Sequence, residues 1–379
     1  MLERRYLVLL ALGTSLSFWD IFNVPYIVDY ASKIFNVNTD LSSLPLSAEM
    51  LGYFIGGSFN GYIASKWGRK KGLILSMGLI SLGSVIGLLS LSFIMIIISE
   101  FIIGMGIEGE VATVPSYISE MVENRGKTIG IVESFGFLMS LVVGPIAVLA
   151  GQEYWKLLFL AGVTIAIPSL FFRFYLPESK LWIKKSNEKF KWDNTILLFL
   201  IAWFFSYFAG YALFSDPIFS LIGNKGFNNT AVYFTYILYG DPLGVLIASI
   251  VNDKIERKLT SFLTNFLSGV LIISWPFLSG ISFLGIGFTI MFLQGFKFPV
   301  MYTYTAENIT TKIRTLGFGI ADGIGHLGGV IGPIILSLYY QQDVILAFTI
   351  VGLTAIISGS ILGIFGLKTK GLSLEKIKG

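Results

Sequence analysis

Residues 61–71, GYIASKWGRKK, are the most informative segment for the fold, because a long apolar run stops there and a tight basic cluster begins. A similar stretch, SIVNDKIERK, follows at residues 249–258. Aligning the two places Arg69 over Arg257, and nearly the same offset relates further motifs downstream of each stretch. A repeat of this length, running in one direction, predicts two similar halves within one chain.

The chain is too apolar for a soluble protein. Of its 379 residues, 54% are hydrophobic and 13% are charged, and the mean hydropathy is +0.76. That much apolar surface must face lipid or other membrane spans. A span needs about 20 apolar residues, and the chain holds about twelve such runs. We therefore predict an all-α polytopic membrane protein with twelve transmembrane helices in two pseudo-symmetric six-helix bundles.

The distribution of charge predicts the domains and the orientation. We expect an N-terminal bundle at residues 1–176, a cytoplasmic linker at 177–194, a C-terminal bundle at 195–367 and a cytoplasmic tail at 368–379. Most Lys and Arg fall in segments that this arrangement puts on one side of the membrane, which is the positive-inside bias. The bias predicts a multi-pass protein of the cell membrane with both termini in the cytoplasm.

The composition argues against several function classes. The chain has no cysteine and one histidine, so thiol nucleophiles, disulfides and Cys or His metal clusters are excluded. The sequence offers no nucleophile–base constellation, and we expect neither an enzyme nor a cofactor nor a metal site. The net charge of +4 follows from the orientation bias and needs no nucleic-acid partner. We expect a monomer in the lipid bilayer.

The basic stretch resembles the signature G-x-x-x-D-K/R-x-G-R-K/R that lies between the second and third spans of the major facilitator superfamily. The matching residues are Gly61, Lys66, Gly68, Arg69 and Lys70. Ser65 stands where the family usually has aspartate. The second copy keeps the acid as Asp253 but has Glu256 in place of the glycine.

Three further segments resemble the sugar-porter and metabolite–proton symporter branch of this superfamily. PESKLW at 177–182 is similar to the P-E-S-P-R-W after span six, and LKTKGLSLEKI at 367–377 is similar to P-E-T-K-G-x-S-L-E-E-I. Residues 302–333 resemble Y-x-Y-T-A-E-x-x-P-T-x-x-R-x-x-G-x-G. The resemblance implies transport of a small polar organic solute, a sugar or an organic acid, by alternating access with a coupling proton. A multidrug-type proton exporter and a non-transporting solute sensor are the alternatives.

Ionisable residues inside apolar spans are functional candidates, because each costs about 2.5–3.5 kcal/mol at mid-membrane on insertion scales. Asp20 in span one stands where this branch often carries the acid that binds the coupling proton. Glu100 in span four stands where relatives have an arginine that pairs with that acid. Two neighbouring carboxylates in low dielectric cannot both ionise easily, so we expect the pair to share a proton. A structural hydrogen bond for Asp20 and a solvated position for Glu100 are the alternatives.

Three more residues are candidates for proton coupling. Glu110 lies on span four, about 80° around the helix from Glu100. Asp322 and His326 are four residues apart and share a face of span eleven. His326 occupies the arginine position of the family's G-R-x-G, and a structural hydrogen bond is the favoured interpretation of this pair.

Span ten carries Lys297, which at that depth needs a counter-ion or an anionic ligand. We favour pairing with Asp241 or Asp322 over binding of a solute carboxylate. Other polar and aromatic residues of the spans are candidates for lining a substrate cavity. They are Asn23, Trp203, Tyr207, Tyr211, Gln294 and Tyr302.

The basic loop motifs predict a cytoplasmic gate, in which arginines pair with acids at helix ends in one conformation and separate in another. The predicted members are Gly61, Lys66, Gly68, Arg69, Lys70, Glu120, Arg125, Asp253, Lys254, Arg257, Lys258, Glu307 and Arg314. The alternative is that these positive charges only set the topology.

Overall fold

A computed structural model of the chain describes residues 4–37, 44–185, 193–228 and 230–378. Within these ranges all regular secondary structure is helical. Residues 186–192 of the predicted linker lie outside the described part of the chain.

The described residues form two compact units. The N-terminal unit takes in Met1–Glu123, Ile131–Asp193 and Ile309–Gly323. The C-terminal unit takes in Asn124–Gly130, Asn194–Asn308 and Ile324–Gly379. Two short segments therefore belong to a different unit from the one that their place in the chain predicts. Ion pairs hold both segments there, as described below for Arg125 and Arg314.

The first half of the chain contains eight α-helices, a 3-10 helix and a π-helix in its described residues. They are α1 (Arg4–Ile34), α2 (Leu44–Trp67), α3 (Arg69–Leu88), α4 (Phe93–Met121), α5 (Arg125–Phe137), α6 (Ser140–Ala150), the 3-10 helix Trp155–Phe159, the π-helix Gly162–Ala166, α7 (Ile167–Arg173) and α8 (Lys180–Lys185).

The second half continues with nine α-helices among its described residues. They are α9 (Thr195–Ala212), α10 (Asp216–Asn224), α11 (Thr230–Leu238), α12 (Gly240–Val251), α13 (Arg257–Ser274), α14 (Gly280–Asn308), α15 (Arg314–Tyr340), α16 (Val344–Phe365) and α17 (Leu374–Lys378). α10 and α12 each begin just before a proline, Pro217 and Pro242, where the missing amide hydrogen is tolerated.

Ten helical segments of the described chain are long and apolar enough to cross a membrane. They do not include α2 and α4, which are 24 and 29 residues long. At 1.5 Å per residue both exceed the roughly 30 Å of a hydrocarbon core. α4 carries four glutamates, which lowers its hydropathy without shortening it.

The same glycine contact recurs in both units. In the N-terminal unit, a Cβ added to Gly56 of α2 would lie 2.3 Å from the carbonyl oxygen of Met105 in α4. In the C-terminal unit, a Cβ added to Gly244 of α12 would lie 2.1 Å from the carbonyl oxygen of Phe292 in α14. The backbones approach this closely because neither glycine has a side chain, which is the packing that small residues give membrane helices.

Candidate functional site

Three carboxyl groups of the N-terminal unit lie close together inside the protein. They are Asp20 of α1, Glu49 of α2 and Glu100 of α4, and each residue is 1% exposed. Glu100 is within electrostatic range of both Glu49 and Asp20. We call these three residues the carboxyl cluster. The predicted proximity of Asp20 and Glu100 is present in the structure, and Glu100 is buried rather than solvated.

The described residues place no cation near the carboxyl cluster. Tyr53 donates a hydrogen bond of 2.7 Å to Oε1 of Glu49, while both carboxylate oxygens of Glu100 are buried without a described hydrogen-bond partner. The other charged groups within electrostatic range of Glu100 are the two acids of the cluster. Three negative charges without a counter-charge are costly in low dielectric, so this arrangement favours carboxyl groups that hold protons.

Sequence reasoning missed Glu49. This glutamate lies five residues inside the start of α2. Its spacing was a usable signal, since Gly52 and Gly56 follow three and seven residues later on the same helical face. That face packs on α4, where a Cβ on Gly104 would lie 2.3 Å from the carbonyl oxygen of Glu49.

Glu110, a predicted proton-coupling residue, has a cationic partner that the sequence did not reveal. Arg173 of α7 forms an ion pair with it, in which Nη1 donates to Oε2 at 3.0 Å and Nη2 donates to Oε1. Both side chains are 1% exposed. The arginine neutralises this carboxylate, which then needs no proton for charge balance. Glu110 therefore differs from the three acids of the carboxyl cluster.

Asp322 and His326 belong to different units. Asp322 lies in the N-terminal unit, where it is within electrostatic range of Glu108 of α4, and both residues are fully buried. His326 lies in the C-terminal unit, where its ring stacks on Tyr207 with centroids 4.1 Å apart. The predicted hydrogen bond between Asp322 and His326 stays a prediction.

Asn23, a candidate for the substrate cavity, has a structural partner in the N-terminal unit. It lies one turn after Asp20 on α1, and it is 1% exposed. Its Nδ2 donates a hydrogen bond of 3.3 Å to the carbonyl oxygen of Leu158, which also accepts one from Trp19 at 3.0 Å. The asparagine therefore ties α1 to the 3-10 helix that contains Leu158.

The C-terminal unit buries a lysine, Lys297 of α14, which is 1% exposed. Its Nζ donates to Oε1 of Gln294 and, at 3.3 Å, to the carbonyl oxygen of Ser206 in α9. Gln294 in turn donates a hydrogen bond of 2.6 Å to Ser268 of α13. We call Ser268, Gln294 and Lys297 the lysine cluster.

Asp241 of α12 is the carboxylate within electrostatic range of Lys297. Among the described residues, however, Lys297 has no ion pair with a nitrogen–oxygen distance of 4.0 Å or less. Oδ1 of Asp241 is buried and accepts no described hydrogen bond. Of the two counter-ions predicted, Asp241 is therefore the neighbour, at a distance longer than a direct ion pair, and Asp322 lies in the other unit.

Aromatic rings adjoin the lysine cluster. Trp203 and Tyr207 of α9 stack with centroids 4.9 Å apart, and Tyr302 lies 5.3 Å from Trp203. Phe298 follows Lys297 in α14 and lies 6.3 Å from Trp203, with Nζ of Lys297 5.5 Å from its ring centroid. Trp203, Tyr207, Phe298 and Tyr302 form the aromatic stack. Tyr211, also predicted for the cavity, lies 5.6 Å from Tyr207.

The predicted gate arginines all pair with the predicted acids. In the N-terminal unit, Oε1 of Glu120 lies 2.9 Å from Arg69 and 2.5 Å from Arg314. In the C-terminal unit, Glu307 pairs with Arg125 at 2.5 Å and with Arg257 at 3.3 Å. Each unit therefore has one buried glutamate shared by two arginines.

Asp253, the remaining predicted acid, joins the C-terminal network. It pairs with Arg257 one turn away at 2.9 Å and accepts hydrogen bonds from the amides of Gly126 and Lys127 at 2.9 and 2.8 Å. The acid thus caps the start of α5, where negative charge is favourable.

The four predicted gate lysines have no acidic partner among the described residues. Lys66 donates to the hydroxyl of Tyr62 at 2.7 Å, and Lys70 donates to the carbonyl of Phe174 at 2.6 Å. Lys258 lies 3.5 Å from the carbonyl of Ile364, and Lys254 is exposed. Long lysine side chains at helix ends reach carbonyls or water, so pairing with acids is confined to the arginines.

The glycines and the serine of the first basic stretch have specific contacts. Gly68 has a φ of 119°, which only glycine adopts readily. A Cβ on Gly61 would lie 2.8 Å from the backbone of Leu316 at the start of α15. Ser65, which replaces the expected aspartate, accepts a hydrogen bond of 3.0 Å from the amide of Leu316. Here the hydroxyl fastens α2 to α15 without a charge.

A profile of the Major Facilitator Superfamily matches residues 10–333 of the chain. The chain belongs to this superfamily. It is 26% identical over 397 residues to a putative niacin/nicotinamide transporter of Bacillus subtilis, covering 98% of both proteins. It is also 26% identical over 357 residues to a sialic acid transporter of Escherichia coli, covering 85% of both.

The fold is that of solved transporters of the superfamily. The structure matches the proton:xylose symporter XylE, bound to 6-bromo-6-deoxy-D-glucose, with a TM-score of 0.82 over 98% of each chain at 17% identity. These findings confirm the predicted twelve-helix fold, the multi-pass membrane location and the membership in a transporter family rather than an enzyme family. The chain is a secondary transporter of small organic solutes.

Proposed function

We propose that this transporter couples the movement of a small organic acid or sugar to protons, as a symporter working by alternating access. One observation carries the proposal, namely the carboxyl cluster of Asp20, Glu49 and Glu100, buried without a described cation. A buried carboxylate costs several kcal/mol when it is neither paired nor protonated. A proton removes that cost, and its release in another conformation would link proton movement to the transport cycle.

The chemistry of known relatives supports an organic acid as the solute. The relatives named above are described as transporters of niacin or nicotinamide and of sialic acid. Niacin and sialic acid are both carboxylic acids. A proton that enters with a carboxylate also neutralises the charge that the solute brings across the membrane.

The paired arginines support a gating role in the same cycle. Glu120 with Arg69 and Arg314, and Glu307 with Arg125 and Arg257, form buried networks at helix ends. Each network is stable in one conformation, and its ion pairs would break together in another. Such behaviour suits a two-state switch.

Transport assays in proteoliposomes test the proton coupling. With radiolabelled nicotinate as the probe, we expect accumulation driven by an inward proton gradient. Asp20→Asn, Glu49→Gln and Glu100→Gln should each lower that accumulation at least about tenfold, because each removes a proton-binding group. Solute exchange without a gradient should persist in these variants, which separates uncoupling from misfolding.

Glu123→Gln is the matched control, since Glu123 is an exposed acid just after α4, and it should accumulate nicotinate like the wild type. Nicotinate accumulation that does not depend on the pH gradient, or that depends on a sodium gradient instead, would show that the proposed coupling is wrong. Expulsion of the solute against an inward proton gradient would identify a proton antiporter.

We further place both termini in the cytoplasm of a cell whose plasma membrane holds the protein, on the strength of the positive-inside bias. The absence of native cysteine makes this testable by labelling single cysteines. Ser373→Cys, in the exposed tail, should react with a membrane-impermeant maleimide only after the cells are opened. Leu91→Cys, between α3 and α4 and 83% exposed, should react in intact cells. The reverse pattern would invert the orientation.

A further inference from the structure

The lysine cluster has the chemistry of an anion site. Lys297 is 1% exposed, and its ammonium group keeps two described hydrogen-bond acceptors, the Gln294 side chain and the Ser206 carbonyl. An ammonium group has three donors and carries a full positive charge. Neither acceptor is charged, and the ammonium has no direct ion pair among the described residues. The group therefore retains a donor for an anionic partner.

Asp241 is the carboxylate that faces the charge of Lys297, but it forms no direct ion pair with the lysine. The two residues are within electrostatic range, yet they form no ion pair within 4.0 Å, and Oδ1 of Asp241 accepts no described hydrogen bond. A lysine that served only as a structural partner of Asp241 would gain most by direct contact. Held apart, the pair makes the site neutral overall while it leaves the ammonium group able to bind a carboxylate.

Gln294 positions the ammonium group. Its amide nitrogen donates to Ser268 at 2.6 Å, so its carbonyl oxygen points to Lys297. Gly210 of α9 keeps the other side clear, because a Cβ there would lie 3.7 Å from Nζ of Lys297 and 3.3 Å from Oε1 of Gln294. A built hydrogen-bond chain across α13 and α14 therefore fixes the direction of the positive charge.

The aromatic stack lies beside that charge. Phe298 lies under the ammonium group and extends the rings of Trp203, Tyr207 and Tyr302. Aromatic faces stack with flat, conjugated molecules. A positive group at the edge of such a surface matches a small molecule with a flat body and one anionic end.

We infer that Lys297 binds the carboxylate of a flat, unsaturated or aromatic organic acid, with Gln294 and Ser268 as positioning residues and the aromatic stack beside the body of the acid. The inference rests on the proposed function and narrows its solute from sugars and acids in general to conjugated carboxylates. Lys297 is then the side chain that distinguishes a carboxylate from its neutral amide.

Binding to the purified full-length protein tests this without any proton gradient. Nicotinate, benzoate and cis,cis-muconate should each raise the unfolding temperature of the wild type, because a ligand stabilises the state that it binds. Nicotinamide, benzamide and glucose should do so much less. Lys297→Met should weaken nicotinate binding by about 10- to 100-fold, the range expected for a charge-assisted hydrogen bond.

Four further variants keep the test decisive. Lys297→Met combined with Asp241→Asn removes both charges, so it guards against misfolding caused by an unpaired Asp241, and it should bind nicotinate as weakly as the single variant. Lys297→Arg should keep the preference for nicotinate over nicotinamide. Gln294→Leu should reduce that preference while leaving some binding of both. Lys376→Met, at an exposed lysine of the tail, should behave like the wild type.

The inference is overturned if nicotinate and nicotinamide bind the wild type equally, if none of the three carboxylates stabilises it, or if the preference survives in both Lys297→Met variants. Its failure is separable from that of the proposed function. Carboxylate binding that depends on Lys297, with no proton-driven uptake, would contradict only the coupling. Proton-driven uptake of glucose without carboxylate binding would contradict only the lysine site.

Discussion

The two units of this transporter handle buried charge in opposite ways. In the N-terminal unit, Asp20, Glu49 and Glu100 gather three carboxyl groups with no described cation beside them. In the C-terminal unit, the buried charge of Lys297 has a carboxylate, Asp241, within electrostatic range. The first arrangement needs protons to be stable, whereas the second is balanced by its own side chains.

The difference matters because the units otherwise share their construction. Each has glycine contacts between two long helices, at Gly56 and at Gly244. Each also has one glutamate shared by two arginines, Glu120 and Glu307. A duplicated scaffold thus carries an acidic site in one copy and a basic site in the other.

Loss of a paired glutamate should destabilise the protein more than any other substitution considered for the two units. Glu307→Gln in the C-terminal unit leaves Arg125 and Arg257 without their shared acid. We expect a loss of about 3 kcal/mol in the free energy of unfolding, at the low end of the 3–5 kcal/mol for breaking a buried ion pair, because Arg257 keeps Asp253. Denaturant unfolding in detergent measures it.

Glu100→Gln is the counterpart in the N-terminal unit, and it should change the free energy of unfolding by less than about 1 kcal/mol, since it strands no cation. The amide has nearly the same shape as a protonated carboxyl group. Equal losses for Glu100→Gln and Glu307→Gln would mean that Glu100 is a paired carboxylate after all, and the contrast between the units would disappear.

Substitution of the contact glycines tests whether the helix packing of the two units is equivalent, with a smaller expected loss of stability. Gly56→Ala and Gly244→Ala each place a Cβ within 2.3 Å of a backbone oxygen. The helices must then separate, and overpacking of this kind costs about 1–3 kcal/mol. Similar losses of thermal stability in the two variants would support equivalent helix contacts in both units.

Gly78→Ala and Gly285→Ala are the matched controls, because a Cβ at either helical position would meet nothing within 4 Å. Both should leave the protein as stable as the wild type or slightly more so, since alanine suits a helix better than glycine. A loss at the control positions would show that glycine matters there for another reason than close contact.

Much of the pairing between arginines and acids was predictable from residue spacing. Residue spacing placed four arginines and three acids of the predicted gate at helix ends, and all seven are paired in the structure. The prediction works because these residues sit at fixed distances from helix ends that apolar runs define. The lysines of the predicted gate donate instead to carbonyl and hydroxyl oxygens through their flexible side chains.

The interior of each unit was harder to predict. Glu49 and Arg173 escaped notice because each is near a helix end in the sequence, where charged residues are usually solvated. The structure buries both, the first at 1% exposure beside α4 and the second in an ion pair with Glu110. Helix tilt and crossing decide whether a terminal residue faces water or a neighbouring helix, and no local pattern encodes them.

From the order of the amino acids alone it follows that this chain crosses a membrane many times, that it contains a duplication, and that arginines and acids meet at helix ends. These properties depend on apolar run length and residue spacing, which are local. Which buried charges have partners became clear from the packing of the helices. Partnership depends on distances between residues far apart in the chain, such as Glu110 and Arg173, and those distances are set by how the helices pack.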